Sequence, residues 1–355
     1  MDVAGIYVET TQHVGIEHRH GCVIYKRIVE FMTFLVTGGL GLIGHNIVQR
    51  LQARDEQVVI LDTKTTYHDF IPQDELDYLM SERQKKIAPD TKIECFDISN
   101  FWTCDLSVLN NRPRVIIHCA SYPRQKAVNH RPTEAADVMI KGLVNMLESA
   151  KKHGIERFVY ISSSMVYGDF EDDVLEDDLC HPKGQYGILK LCGEELVKDY
   201  ARRCGFEYVI IRPSAVYGPL DVADRVIAKF MLAAMRGETL KVNGAEETLD
   251  FTYVDDAADG IVSAATRIMC RNMTFNITKS HSVSLREAAE MIVKIVGQGT
   301  IEVQDRDEDF PKRGALNIDR ARTILSFDPK VDVEQGFQKY YEWLDNSVYW
   351  NPKTV

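Results

Sequence analysis

Apolar residues in this chain alternate between short unbroken runs and longer stretches in which they return every three or four positions. Runs at 34–36, 57–61, 92–96, 115–119, 158–162 and 208–212 have strand length and little polar interruption, so they predict strands covered on both faces. Between them the spacing turns helical. Leu42, Ile43, Ile47, Val48 and Leu51 share one helix face, and 133–153 and 186–204 predict two longer helices. This alternation gives a parallel, doubly wound α/β sheet. The polar stretch 63–91, helical over 74–86, predicts a surface excursion able to border a site.

Past Arg212 the pattern is less regular. Helices are expected at 222–236, 256–267 and 333–344, an extended piece at 240–243, a late strand at 273–277 and a capped amphipathic helix at 284–296. The division that follows is 32–215 as the sheet domain, with 250–278 returning to it. Residues 216–249 and 279–345 then make a smaller C-terminal α/β domain over the substrate, and 346–355 a tail. Residues 1–31 are read as an extension, since Met32 stands immediately before the first strand.

The first strand runs into Val36-Thr37-Gly38-Gly39-Leu40-Gly41-Leu42-Ile43-Gly44 and then a helix. Glycine suits a sharp turn at Gly38, close approach of a pyrophosphate at Gly41 and tight packing of helix on strand at Gly44. The helix amides, Leu42 and Ile43 included, then face phosphate. Asp62 closes the second run where a carboxylate accepts hydrogen bonds from an adenosine ribose, which favours NAD over NADP. A second constellation joins the serines of Ser162-Ser163-Ser164, at a strand end, to Tyr186 and Lys190 at a helix start. One helical turn separates Tyr186 from Lys190, so both can reach one site. An ammonium and an oxidised nicotinamide both favour phenolate, and Ser163 is placed to hold the reacting sugar oxygen. Alone, Tyr-x-x-x-Lys also describes an aromatic beside a snorkelling lysine. The cradle and the serine run turn that balance.

Composition narrows the partners. At 355 residues, 45% hydrophobic and 27% charged, the chain matches a large globular enzyme. No apolar run has the length of a membrane span, and a net charge of −11 disfavours general nucleic-acid binding. Eight scattered cysteines give no CxxC and no metal-finger spacing, which suits a reducing cytoplasm. The acidic runs at 171–173 and 176–178 read as solvated loop, so no metal is expected. His118, ending a strand, reads as structural.

Together these segments resemble the extended short-chain dehydrogenase/reductase family, in its NAD-dependent nucleotide-sugar epimerase and dehydratase branch. The likeness runs from Met32 to Trp343 through 37–44, Asp97-Ile98, 118–121, 162–168, 186–190, 212–219, 250–256 and Arg313-Gly314. It implies a Rossmann-type fold with NAD held by Gly38, Gly41, Leu42, Ile43, Gly44 and Asp62, by Asp97 and Ile98 beside the adenine, and by Cys119, Ala120 and Ser121 along the channel. Tyr186, Lys190 and Pro213 complete the nicotinamide end. Ser163, Tyr186 and Lys190 fall on the catalytic positions. Substrate contacts are expected from Arg124, Ser163, Ser164, Tyr186, Arg225 and Arg313. Ser164 and Met165 stand where dehydratases of this family carry an acidic pair, and the glutamate usual in related decarboxylases is absent too. Ala215 and Leu249 replace an asparagine and an arginine common among the epimerases, thinning the expected diphosphate clamp. The resemblance thus implies an NAD-dependent nucleotide-sugar epimerase with Tyr186 as base. The alternatives are a dehydrogenase releasing a keto-sugar from the same site and a non-catalytic NAD-binding scaffold or sensor. It also implies a homodimer through 133–153 and 186–204, with Val138, Leu143, Val144, Leu147, Leu191 and Leu196 as candidate contacts.

Overall fold

The computed structural model describes residues 14–19, 22–27, 32–65 and 70–351. Within the N-terminal extension, strands Val14–Arg19 and Cys22–Arg27 pair antiparallel, and the rest of 1–31 lies outside the described residues. Seven strands form the central sheet: β1 (Thr33–Thr37), β2 (Gln57–Leu61), β3 (Lys92–Glu94), β4 (Val115–His118), β5 (Arg157–Ile161), β6 (Glu207–Pro213) and β7 (Met273–Ile277). Their order is β7-β6-β5-β4-β1-β2-β3, with every pairing parallel. The chain winds outward from β1 through β3 and returns to β4 on the other side of β1. Connections therefore diverge there, opening a crevice above the carboxyl ends of β1 and β4.

Successive strand residues face opposite layers. Phe34 and Val36 of β1 join a core with Ile47, Val48 and Leu51 of helix α1 (Leu42–Gln52), whereas Leu35 faces the other core. On that second face lie Leu143, Met146 and Leu147, together with Tyr160 and Val197. Helix α2 (Gln73–Lys85) forms the predicted excursion, and α3 (Phe101–Asn111) was not legible in the pattern. Trp102, Leu106 and Leu109 of α3 are exposed, which scrambles its apolar stripe. The long helix expected at 133–153 consists of Pro132–Ala136, a π-helical turn over Asp137–Gly142, and α4 (Leu143–His153). Helix α5 (Gln185–Cys204) matches its expectation within a residue.

The second lobe holds α6 (Val226–Met235) and α8 (Leu285–Val296), the latter capped by Ser284 with Glu287 reaching back. Between them, α7 (Val254–Thr266) packs on α1 and leads into β7, so 250–278 joins the sheet. Two boundaries differ from expectation. Helix α9 (Asp319–Leu325) and Phe327 enter the core of the first lobe, because Ile318, Ala321, Leu325 and Phe327 pack with Ile261, Phe275 and Ile277. The tail is also part of the structure: after α10 (Val333–Asp345), Ser347 bonds the Tyr78 hydroxyl at 2.9 Å and Tyr349 stacks on the Tyr78 ring. The candidate dimer contacts change too. Val138, Leu143 and Leu147 are buried in the chain's own core, and Val144, Leu191 and Leu196 are half-buried. Among the described residues no helix is long and apolar enough to cross a membrane.

Phe327 belongs by sequence to the second lobe and by packing to the first. Phe327→Ala is expected to lower the unfolding free energy by about 3 kcal/mol in urea denaturation, the usual cost of deleting a buried aromatic ring. A loss well under about 1 kcal/mol would contradict this division of the chain.

Candidate active site

Strand β1 ends at Thr37, and the chain turns at once. Gly38 adopts φ +65°, its N–H donates to Leu61 O at 2.8 Å, and a Cβ there would meet Ala120 N at 2.8 Å. At Gly44 a Cβ would collide with the Gly38 carbonyl oxygen, so α1 can pack this close to the turn only with glycine. The N–H of His45 bonds to Gly41 O at 3.1 Å. The amides of Leu42, Ile43 and Gly44 occupy the helix's first turn, where no intrahelical acceptor is available, and all three residues line the crevice. Asp62 ends the wall beside them. Its two oxygens accept the Leu40 and Lys64 amides at 3.0 and 2.8 Å, and burial raises its carboxyl above the ordinary range despite those bonds.

The crevice continues past Phe96, Ile98 and Val138 at one end and Cys119, Ala120 and Ser121 along its floor. It reaches Tyr186 and Lys190 at the other end. Asp97 is exposed, with Oδ1 accepting the Ser99 amide at 2.8 Å, and Pro213 closes β6; neither lines the crevice. His118 is buried against the Thr37 hydroxyl at 3.0 Å, and burial pushes its imidazole down to about 3. It therefore stays neutral at physiological pH.

Tyr186 opens α5, its amide bonded to the buried Gln125 Oε1 at 3.2 Å. Burial raises its phenol above the ordinary value, while a hydrogen bond with Ser163 and the Arg225 charge pull it down. Ser163 also accepts the Met165 amide at 3.2 Å. Lys190 is buried, and its Nζ donates to Ile161 O at 2.7 Å and sits 5.9 Å from the Tyr186 ring centre. Burial brings the Lys190 amine down to about 8, against the raising pull of Cys119 and Glu194. Glu194, one turn beyond Lys190 and fully buried, accepts Ser162 Oγ at 2.5 Å and both Arg212 Nε and Nη2 at 2.9 and 2.6 Å. Arg212 reaches on to the Tyr167 hydroxyl at 2.9 Å. This pair braces the serine loop against α5. Sequence reasoning missed it, and the i, i+4 step from Lys190 was its only trace.

The substrate residues separate into groups. Arg225 lines the crevice, 3.6 Å from Asp221, and lies near enough to Arg313 to help burial bring that guanidinium down to about 10. Arg313 Nε is buried without a partner. Two neighbouring cations suit an anion, and of the two only Arg225 lines the crevice. Arg124 does not face the crevice: its guanidinium is held by the Asp224 carboxylate and, at 2.6 Å, by the Asp224 carbonyl. Ser164 is buried and donates to the Ser214 hydroxyl at 3.2 Å, so it supports the wall without lining it.

A dinucleotide cradle at a switch point, with a tyrosine and lysine converging at its far end, defines a nicotinamide-dinucleotide enzyme of the short-chain dehydrogenase/reductase type. The chain belongs to the NAD dependent epimerase/dehydratase family, whose sequence model matches residues 34–277. A putative UDP-glucose 4-epimerase of Methanocaldococcus jannaschii is 30% identical over 88% of this chain and 98% of its own. An uncharacterized UDP-glucose epimerase of Bacillus subtilis is 29% identical, over 90% and 99%. Among solved structures, the UDP-glucuronic acid 4-epimerase of Bacillus cereus, in complex with UDP-glucuronic acid and NAD, superposes with a TM-score of 0.80. It is 26% identical over 88% of this chain and 98% of that one. The described residues fit NAD, since the backbone is bare where the turn and α1 close on each other and a buried carboxylate stands beside the second strand.

Gly44→Ala forces the helix away from the turn. NAD affinity is expected to fall by about 100-fold or more in fluorescence titration, because the amides of 42–44 lose their aim. Unchanged affinity would remove these amides from the cofactor's site.

Proposed function

We propose that this protein is an NAD-dependent 4-epimerase of a UDP-linked hexose. The observation that carries the reading is the meeting of Lys190 and Tyr186, itself hydrogen-bonded to Ser163, at one end of a crevice that also runs along the glycine-rich cradle. Epimerisation, with the hydride returned, is the activity named for the relatives, which favours it over release of a keto-sugar. NAD bound here supplies hydride acceptance and return. Tyr186 takes the proton of the sugar hydroxyl and later gives it back, Ser163 holds that oxygen, and the Lys190 ammonium favours the phenolate. Arg225 and Arg313 are assigned to the diphosphate. Ser164 supports Ser163 from behind, and Asp62 selects the free ribose hydroxyls of NAD.

The test is incubation of purified enzyme with UDP-glucose and with UDP-glucuronic acid, with and without added NAD. Appearance of the 4-epimer without net NADH supports the reading, and stoichiometric NADH supports a dehydrogenase. Tyr186→Phe is expected to keep NAD and lose about 10²-fold or more in kcat. Lys190 is charged below about 8 and neutral above it. The kcat/KM of the free enzyme should accordingly decline as pH rises through about 8, and a flat profile to pH 10 would exclude an ionised Lys190 from the chemistry.

A homodimer is proposed through the outer faces of α4 and α5, where Ile188 is 52% exposed. Ile188→Asp is expected to shift sedimentation from dimer to monomer. A wild-type chain that sediments as a monomer at every accessible concentration rejects the interface.

A further inference from the structure

Helix α2 lies in the polar excursion, yet its last turn sends Arg83 inward. Arg83 is 5% exposed and forms part of the crevice wall. Its Nε and Nη2 donate to the Leu220 carbonyl at 3.2 and 2.7 Å, and its Nη1 donates to the Leu40 carbonyl at 3.1 Å. Among the described residues no carboxylate forms an ion pair with it; Asp221 and Asp62 act on its charge from farther away. A buried guanidinium is costly to keep, and here its donors go to two backbone carbonyls from segments far apart in the chain.

Each of those peptides is a sensitive one. Leu40 belongs to the cradle, and its own N–H is held by Asp62 at 3.0 Å, so Asp62 and Arg83 grip it from either end. Leu220 has φ +66°, a left-handed conformation that a branched residue keeps only under outside restraint. It begins the loop carrying Asp221 and Arg225 to the crevice. The same helix supports the loop twice more: Glu75 Oε1 accepts the Ala223 amide at 2.7 Å, and Leu76 and Leu79 pack with Leu220 and Val222.

We infer that Arg83 is a positioning residue that couples the dinucleotide cradle to the substrate loop at 218–225. The guanidinium is planar and rigid, so a shift of the Leu40 peptide when the cradle fills moves the Leu220 carbonyl with it. The loop then presents Arg225 in one place. By reciprocity, a molecule held by Arg225 tightens the cradle. The inference rests on the 4-epimerase reading only for which molecule the loop receives.

The test uses the full chain freed of NAD and then reloaded. Trypsin cleaves after Arg225, within the loop, and NAD is expected to slow that cut by about tenfold in the wild type. In Arg83→Met, shown folded by its melting transition, the protection is expected to vanish. The KM for UDP-glucose should rise by about tenfold, with kcat within about twofold. Arg83→Lys keeps the cation without the planar bridge between two carbonyls and should show reduced protection; it also serves if Arg83→Met fails to fold. NAD protection of wild-type size in a folded variant overturns the inference. Failure of the wild type to convert UDP-glucose contradicts the substrate reading alone, and the cleavage comparison still decides the role of Arg83.

Discussion

Everything in the site depends on how closely the start of α1 approaches the ends of β1 and β4. Gly38 leaves no room for a side chain against Ala120, and Gly44 leaves none against the Gly38 carbonyl. Because that contact is backbone on backbone, the first-turn amides of α1 point into the crevice instead of being shielded by side chains. The same approach brings Leu40 within reach of Asp62, so the cradle and this carboxylate are set by one packing event. Moving α1 outward would loosen all of it together.

The reacting end is organised by burial more than by pairing. Lys190 donates a hydrogen bond to a backbone carbonyl, and its charge is costly enough that its amine falls to about 8. Burial raises the Tyr186 phenol, so in this structure the phenol is protonated at neutral pH. The two shifts have one cause, exclusion of water from a narrow place, and they oppose charge on both groups. A cationic nicotinamide beside them would move the phenol the other way, which ties proton transfer to an occupied cofactor site. Beneath, the Glu194–Arg212 pair supplies rigidity through five hydrogen bonds within the fold.

The second lobe is built back onto the first. Phe327 and α9 enter the sheet's core, and α2 reaches from the first lobe beneath the loop of the second. The crevice thus lies between surfaces that share side chains on both sides. This arrangement suits a reaction in which a sugar must stay enclosed while its orientation changes.

By itself the sequence determined the alternating sheet and the glycine turn that leads into α1, because both depend on local spacing, period-two or period-3.6 burial and glycine at a turn; Asp62, Ser163, Tyr186 and Lys190 were legible in it as candidates. The late strand expected at 273–277 is β7, paired parallel with β6. Tertiary structure decided what depends on distant partners. Helix α3 was hidden because its exposed face carries Trp102, Leu106 and Leu109, and α9 because seven residues give too short a period to read. Arg124 has the charge of a substrate ligand, but Asp224, 100 residues away, claims it. Arg83 lies on a polar helix whose spacing does not single it out. Only the fold brings Leu40 and Leu220 to it, because neither carbonyl's position is encoded near residue 83.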